Sequence, residues 1–222
     1  MFCSEVSEVS YSPELAAALS GASVRQLSYW RSSKSEEGPL LKPEFHKPRS
    51  RVSYSFQDVV ALRTFIYLRV HDVSLQRVRK AVKALRKMGE TQHLSRYRLV
   101  AVGRDVVWKI SGEEAVALTG EPGQQVIAEM VDVLAAFAGA HGRTVVPLLQ
   151  PQHGVRVDPE VRGGYPVIDG TRVPYDLVAG LLMDGMEPRE VAAFYPSVAP
   201  SAAAGALAFA EYVGAHNGAE AA

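Results

Sequence analysis

The chain has a single cysteine, Cys3, among its 222 residues. One thiol cannot build a disulfide framework or a thiolate metal site within one chain, so we expect the protein to work in a reducing cytoplasm. No apolar run approaches the roughly 18 residues that a membrane-spanning helix requires. Residues 1–11 include Glu5 and Glu8 but no Lys or Arg, which is unlike a secretory signal.

Residue patterns that support catalysis are also scarce. The Gly163-Gly164 pair lacks the further spacing of a nucleotide-binding loop. A hydrolase would need a nucleophile–base pair or clustered carboxylates on a common surface. The histidines are scattered without the spacing of a metal-binding motif: His46, His71, His93, His141, His153 and His216. We therefore expect a protein that is not an enzyme and that uses neither a metal nor a cofactor.

The charges are unevenly distributed along the chain, although the formal net charge is zero. Residues 1–110 hold 19 Lys+Arg and 10 Asp+Glu, a balance of +9. Residues 111–222 hold 5 Lys+Arg and 14 Asp+Glu, a balance of −9. This asymmetry favours two different partners, one of them polyanionic. Two solvated faces that merely differ in charge are the simpler alternative.

Two short helices are predicted near the N-terminus. The first spans residues 13–19 and the second residues 24–31, with a turn at Gly21 between them. Helical periodicity places three polar side chains on one face of the second helix: Arg25, Gln26 and Tyr29. Arginine can pair with guanine, glutamine with adenine, and a tyrosine hydroxyl with phosphate. This face is therefore suited to reading the major groove of DNA.

A basic segment follows the second helix. Residues 40–41 and 51–54 are short β-prone runs, which we expect to form the wing of a winged helix-turn-helix. The segment has four cations that would lie along the phosphate backbone: Lys42, Lys47, Arg49 and Arg51. Ser55 and Ser74 then cap two further helices, the second of which runs to Met88. Six cations of that last helix suit a solvated face or a backbone contact equally well.

Several short motifs occur in order within residues 10–88. They are Tyr11-Ser12, SVRQLSYW at 23–30, LLKP at 40–43, YSFQDV at 54–59 and VSLQRV at 73–78. In this order and spacing they resemble the DNA-binding domain of MerR-type regulators. The candidate DNA contacts are then Arg25, Gln26, Tyr29, Lys47, Arg49, Arg51 and Tyr54. The long coiled-coil helix and sensing cysteines typical of that family are missing. We therefore expect the MerR-like DNA-binding domain to be joined to a C-terminal part of a different kind.

The middle of the chain has a strand-like period. Residues 97–102 and 106–110 flank a hairpin turn, and residues 115–118 are a candidate third strand. We predict a helix over residues 124–137 and a buried strand over residues 143–149. Residues 150–154 form the clearest linker.

The C-terminal segment combines a hairpin with three helices. Asp169-Gly170 is a strong turn signal between residues 165–168 and 171–173. Helices are predicted over residues 175–183, 188–194 and from Ser201 to Val213. Residues 151–222 hold 4 Lys+Arg and 9 Asp+Glu, a balance of −5, which disfavours a second DNA reader. An acidic surface better suits a basic protein partner or self-association.

Three motifs of this segment form a recognisable set. They are VDPEVRGG at 157–164, PVIDGTRVP at 166–174, and DGMEP at 184–188 with Tyr195-Pro196. They resemble a small domain family common in toxin–antitoxin loci. The whole arrangement is similar to VapB-type antitoxins, which implies a VapC-type PIN-domain ribonuclease as partner. Candidate partner contacts are Arg162, Thr171 and Arg172, which could equally hold the hairpin together.

The sequence thus predicts a predominantly helical α+β protein of three units. Residues 10–90 form the winged helix-turn-helix, 91–150 a small central strand and helix region, and 151–222 the hairpin and three-helix domain. The expected function is an antitoxin that represses its own operon as a homodimer on a palindromic DNA site. Two alternatives stay open: a ligand-responsive regulator that binds a small molecule in its central or C-terminal region, and a structural adaptor without DNA contact.

Overall fold

The computed structural model describes residues 10–32, 38–45, 52–88, 95, 98–102, 104–111, 114–119, 133–139 and 143–218. Within these residues six α-helices and seven short strands surround a shared apolar core, which confirms the predicted helical α+β class. Among them, no helix combines the length and the apolar character needed to cross a bilayer.

Four helices build the N-terminal part, and each begins at a serine cap. They are α1 (Pro13–Ser20), α2 (Val24–Arg31), α3 (Phe56–Val70) and α4 (Leu75–Lys87). The capping hydroxyls accept hydrogen bonds from backbone N–H groups that the first helical turn leaves without a partner. The observed bounds confirm the predicted helices of this part. They could be predicted because a serine cap is a signal in the local sequence.

The predicted wing strands differ from the observed backbone. The amides of Leu40 and Leu41 both donate to the Trp30 carbonyl, at 2.8 and 3.3 Å, so this pair closes the end of α2 instead of forming a strand. Tyr54 exchanges backbone hydrogen bonds with Tyr11, and Ser53 bridges to Phe45. The prediction of a 40–41 strand was wrong because those amides already have a helical carbonyl as acceptor.

The middle of the chain forms small antiparallel sheets. Strands β1 (Arg98–Val102) and β2 (Asp105–Ser111) form the predicted hairpin, and β3 (Glu114–Ala117), the candidate third strand, pairs with β2. Strands β4 (Phe137–Ala138) and β5 (Thr144–Val145) form a second pair. The predicted helix over 124–137 does not reach its end, since residues 133–135 turn and Phe137 lies in β4. Its earlier residues lie outside the described part of the chain.

The C-terminal part places two helices beside a two-stranded ladder. Strand β6 (Val155–Arg156) pairs with β7 (Val167–Ile168), and α5 (Tyr175–Met183) packs against α6 (Pro200–Gly218). The turn at Asp169-Gly170 forms as predicted, but β7 takes β6 as its ladder partner. The helix predicted over 188–194 is reduced to one 3₁₀ turn at Val191–Ala193.

Candidate nucleic-acid interface

The corner between α1 and α2 is a tight left-handed turn. Gly21 has φ 78°, where a side chain would be strained, and its amide donates to the Ala17 carbonyl at 2.9 Å. A Cβ at this position would overlap the Val145 side chain of β5. The corner is therefore fixed both by its own conformation and by the strand that lies against it.

The recognition helix α2 turns two large apolar residues inward. Leu27 is 1% exposed and Trp30 is 3% exposed, and the Trp30 ring meets Phe65 of α3 edge-on with centroids 5.9 Å apart. Because these anchors are buried, the opposite side of α2 faces solvent. It presents the three predicted residues Arg25, Gln26 and Tyr29, which we call the reading face.

The members of the reading face differ in their local contacts. Arg25 is exposed, and no ion pair holds it among the described residues. Tyr29 is 56% exposed. The Gln26 side-chain oxygen accepts from the Ser23 amide at 2.8 Å in a capping box, so a two-pronged contact to adenine would require that box to open. The geometry supports Arg25 and Tyr29 more directly than Gln26.

Arg79 of α4 braces the reading face and was not singled out from the sequence. Its guanidinium carbon lies 5.6 Å from the centroid of the Tyr29 ring, and its Nη1 donates to the Gly38 carbonyl at 3.0 Å. The side chain is 8% exposed. A cation over an aromatic face is attractive, so Arg79 fixes where the Tyr29 hydroxyl stands. Only its membership of a cationic helix hinted at this role.

The predicted wing contacts are only partly within the described structure. Lys47, Arg49 and Arg51 lie outside the described residues. Tyr54 is 1% exposed, which contradicts a direct DNA contact by its side chain. Burial raises the pKa of the Tyr54 hydroxyl above its ordinary value, although the nearby Arg31 opposes the shift. Tyr54 is a core residue whose backbone pairs with that of the equally buried Tyr11.

The remaining cations of α4 divide into two groups. Arg77 is held to the central sheet, since its Nη1 donates to Asp105 Oδ1 at 2.8 Å and to the Arg104 carbonyl at 2.7 Å. The exposed cations are Lys80, Lys83, Arg86 and Lys87. They form a basic surface on the helix that carries Arg79, and they suit phosphate contacts near the reading face.

Arg63 is a second buried cation that the apolar pattern of α3 concealed. It is 0% exposed and donates to three backbone carbonyls: Leu19, Val133 at 2.6 Å and Ala135 at 2.7 Å. Its guanidinium also lies 5.0 Å from the Phe137 ring centroid. Arg63 thereby ties the end of α1 to the segment that leads into β4, directly behind the helix-turn-helix corner.

The C-terminal helix docks on the helix-turn-helix. Tyr212 donates to the Ala18 carbonyl at 3.1 Å, and His216 Nε2 lies 2.9 Å from the Ala22 carbonyl. Asn217 donates to the Glu14 carbonyl at 3.2 Å. Helix α6 therefore runs along α1 and ends beside the turn that begins the recognition helix.

The second contact between the two ends of the chain involves Tyr11. Its buried hydroxyl donates to the Gly164 carbonyl, and burial raises the pKa of that hydroxyl well above its usual range, so it remains a donor. Arg162, Gly163 and Gly164 all have positive φ. Such a backbone is costly for arginine, and here it delivers the Gly164 carbonyl to Tyr11.

The predicted partner contacts are brought together in part. Thr171 and Arg172 line an open cavity of about 360 Å³ with Arg156, Asp158 and Asp169, whereas Arg162 is not among its lining residues. The Thr171 hydroxyl donates to the Ile168 carbonyl at 2.9 Å and accepts from the Val173 amide at 3.0 Å. Thr171 thus holds the hairpin turn, whereas Arg172 is exposed beside the cavity.

Comparison with known families assigns both ends of this arrangement. Residues 11–85 match the family described as MerR HTH family regulatory protein. The N-terminal part is a MerR-family helix-turn-helix domain. This match suggests a DNA-binding transcriptional regulator. Residues 155–210 match a family described as a protein of unknown function, DUF433.

The likeness extends to a solved structure. The crystal structure of Rv2018 from Mycobacterium tuberculosis resembles the chain with a TM-score of 0.53 and 18% identity, covering 89% of this chain and 96% of that chain. At this identity the likeness concerns the fold, and it spans both the MerR-family domain and the DUF433 domain. No curated protein matches the chain.

Proposed function

We propose that this protein is the antitoxin of a type II toxin–antitoxin pair. It acts as a homodimeric autorepressor on its own operator, neutralises a VapC-type PIN-domain ribonuclease through its C-terminal half, and has no catalytic activity of its own. The observation that carries the proposal is the reading face, where Arg25 and Tyr29 stand exposed on a helix anchored by Leu27 and Trp30. Such a face fits the major groove of DNA.

The antitoxin part is supported by the second domain and its charge. The DUF433 family occurs in toxin–antitoxin-like loci. Residues 151–222 carry a charge balance of −5, which suits a basic protein partner better than DNA. DNA recognition favours a homodimer, because a single recognition helix contacts few bases and a dimer on two half-sites doubles those contacts.

Operator binding tests the DNA part. Arg25→Ala should cost about 1–3 kcal/mol of binding to the DNA upstream of the gene and relax base preference, measured by fluorescence anisotropy against single-base variants. Arg49→Ala should weaken binding to all sequences and reduce the salt slope by about one, because a phosphate contact releases a counterion.

The matched control for both variants is Arg189→Ala, which removes an equal charge from an exposed side chain of the C-terminal part. Its binding should equal that of the wild type. Equal loss of base preference in the Arg25 and Arg49 variants would contradict the assigned roles. Operator affinity that changes neither with salt concentration nor with Arg25→Ala would instead support a structural adaptor without specific DNA contact.

Co-expression tests the antitoxin part. The neighbouring gene should encode a protein of about 120–150 residues with several spaced Asp and Glu residues, the size of a small single domain. That protein should co-purify with this chain, and its ribonuclease activity should fall when the chain is added. The absence of such a gene, or a neighbour that neither binds nor cleaves RNA, would contradict the proposal.

A second candidate is favoured by the cavity beside Arg172. A space of about 360 Å³ lined by Arg156, Asp158 and Thr171 is large enough for a small polar molecule. The protein would then be a ligand-responsive regulator. Metabolites that raise the melting temperature of the wild type but not of Arg172→Ala, and that change operator affinity, would support this candidate.

A further inference from the structure

Helix α5 has one face buried in the core and one face open to solvent. Val178, Ala179 and Leu182 are buried, and α5 packs against α6. The opposite face, which we call the α5 open face, consists of Asp176, Leu177, Gly180, Met183 and Asp184. At 100° per residue these positions lie on one side of the helix, so they form one continuous surface.

Two of these residues are large apolar side chains with little cover. Leu177 is 52% exposed and Met183 is 60% exposed. Exposed apolar side chains are common singly, but two on one helix face beside a glycine form a surface that another protein can cover. Met183 adapts its shape to an incoming surface, because its side chain has three rotatable bonds.

Gly180 stands at the centre of this face and has no local reason to be glycine. A Cβ added there would meet nothing within 4 Å, and Gly180 is not among the residues with positive φ. Glycine within a helix destabilises the free chain relative to alanine. What the missing side chain provides is room for another backbone to approach the helix axis closely.

The charges around the α5 open face select the kind of partner. The α5 open face itself carries no Lys or Arg and two acids: Asp184, and Asp176, whose Oδ2 accepts from the Tyr165 hydroxyl at 2.9 Å. Both acids are exposed, whereas the nearby Glu187 is paired with Arg189 at 3.0 Å. A second copy meeting this face through a two-fold axis would set these acids against their own kind, which is unfavourable. A helix with an apolar stripe flanked by Lys and Arg would complement both the apolar and the acidic groups.

We infer that the α5 open face is the docking surface for a basic amphipathic helix of a partner protein, with Gly180 as the point of closest backbone approach. This inference rests on the proposed function, because it supplies the surface through which the C-terminal half meets its protein partner. The partner helix crosses α5 at Gly180, between Leu177 and Met183, and its cations meet Asp176 and Asp184.

Two substitutions separate docking from folding by the sign of their effects. Gly180→Ala should raise the melting temperature of the free chain by about 2–4 °C, since alanine is the better helix former. It should weaken partner binding about tenfold, because the methyl group fills the approach space. Asp184→Lys places a cation at the C-terminal end of α5, so it should leave the free chain at least as stable while also weakening binding.

Each variant has a matched control on α6. A Cβ added at Gly214, as at Gly180, would meet nothing within 4 Å, so Gly214→Ala should stabilise the chain and leave binding unchanged. Glu211→Lys makes the same charge reversal as Asp184→Lys at another exposed helical position. It should likewise leave partner binding at the wild-type level.

Two probes are titrated against the full-length chain by calorimetry. The first is the purified product of the neighbouring gene. The second is a pair of helical peptides of about 18 residues with the same leucine stripe, one flanked by Lys and one by Glu. The Lys peptide should bind the wild type and lose about tenfold in both α5 variants, whereas the Glu peptide should not bind.

The outcomes distinguish this inference from the proposed function. If the neighbouring protein binds the wild type and both α5 variants equally, the docking surface is wrong while the antitoxin proposal stands. If the neighbouring protein does not bind at all, the antitoxin proposal fails. Binding of the two peptides to the wild type and the α5 variants then tests whether the α5 open face is a docking surface. Equal binding of the Lys and Glu peptides, or a wild-type dimer in sedimentation that Gly180→Ala dissociates, would overturn the inference.

Discussion

Arg79 of α4 connects that helix to the recognition helix α2 through two contacts of its guanidinium group. One contact is the face of Tyr29, at 5.6 Å to the ring centroid, and the other is the Gly38 carbonyl, at 3.0 Å. Tyr29 lies near the C-terminal end of α2 and Gly38 in the segment after it, so Arg79 holds that end of the recognition helix against α4. Arg79 thus positions Tyr29 and α2, whereas the neighbouring cations of α4 face solvent.

Arg79→Ala should therefore lower both stability and operator affinity without altering base preference. The loss of stability is about 1–3 kcal/mol, since a partly buried carbonyl loses this donor and the tyrosine ring loses its cover. Urea denaturation and anisotropy measure the two effects. Lys80→Ala, an exposed neighbour, should change stability by less than about 0.5 kcal/mol. A change of base preference as large as that of Arg25→Ala would assign Arg79 to the bases instead.

Arg63 provides a stronger test because its whole side chain is buried. Arg63→Met should cost on the order of 3–5 kcal/mol, since the carbonyls of Leu19, Val133 and Ala135 would lose their donor together. Arg63→Lys should recover only part of this loss, because the donors of an ammonium share one nitrogen and cannot span the three carbonyls that Nε, Nη1 and Nη2 of arginine reach separately. Arg69→Met on the exposed end of α3 is the control, and equal midpoints for the variants at 63 and 69 would disprove the bridging role.

At the scale of elements, the helix-turn-helix corner depends on a strand from the middle of the chain. Gly21→Ala should cost about 2–3 kcal/mol, partly from the left-handed backbone and partly from overlap with Val145. Adding Val145→Ala to this variant should recover the overlap part but not the backbone part. The measurement is a double-mutant cycle in urea, and a coupling energy near zero would show that β5 does not support the corner.

The elements that could be predicted from the sequence are those with local signals. The starts of α1 to α4 follow from serine caps, and the outward position of Arg25 and Tyr29 follows from helical spacing alone. The ladder of β6 with β7 pairs Val155 with Ile168 across an intervening turn cluster, whereas the Asp169-Gly170 signal indicated a hairpin with residues 171–173. Local signals are also insufficient at the interface, where the buried Tyr54 pairs with Tyr11, and Arg79 meets Tyr29 from a distant helix.

At the scale of the whole molecule, the two family domains share one core. The buried cluster extends from Tyr11 and Leu19 through Phe65 to Val155 and Phe209. Three side chains near the end of α6 donate to carbonyls of α1 and the corner turn, and Tyr11 donates back to Gly164. The helix-turn-helix therefore obtains part of its hydrogen bonding from residues almost at the other end of the chain.

Deleting α6 should consequently abolish operator binding, although every candidate DNA contact remains. A chain that ends at Ala199 loses the Tyr212, His216 and Asn217 contacts and uncovers the apolar side of α1, so the recognition helix loses its support. A chain that ends at Gly218 keeps α6 and serves as the control. Anisotropy measures operator binding, and hydrogen exchange of the α1 amides reports whether the corner has loosened. Wild-type operator affinity with protected α1 amides in the shorter chain would show that the MerR-family domain folds and reads DNA independently of its C-terminal partner domain.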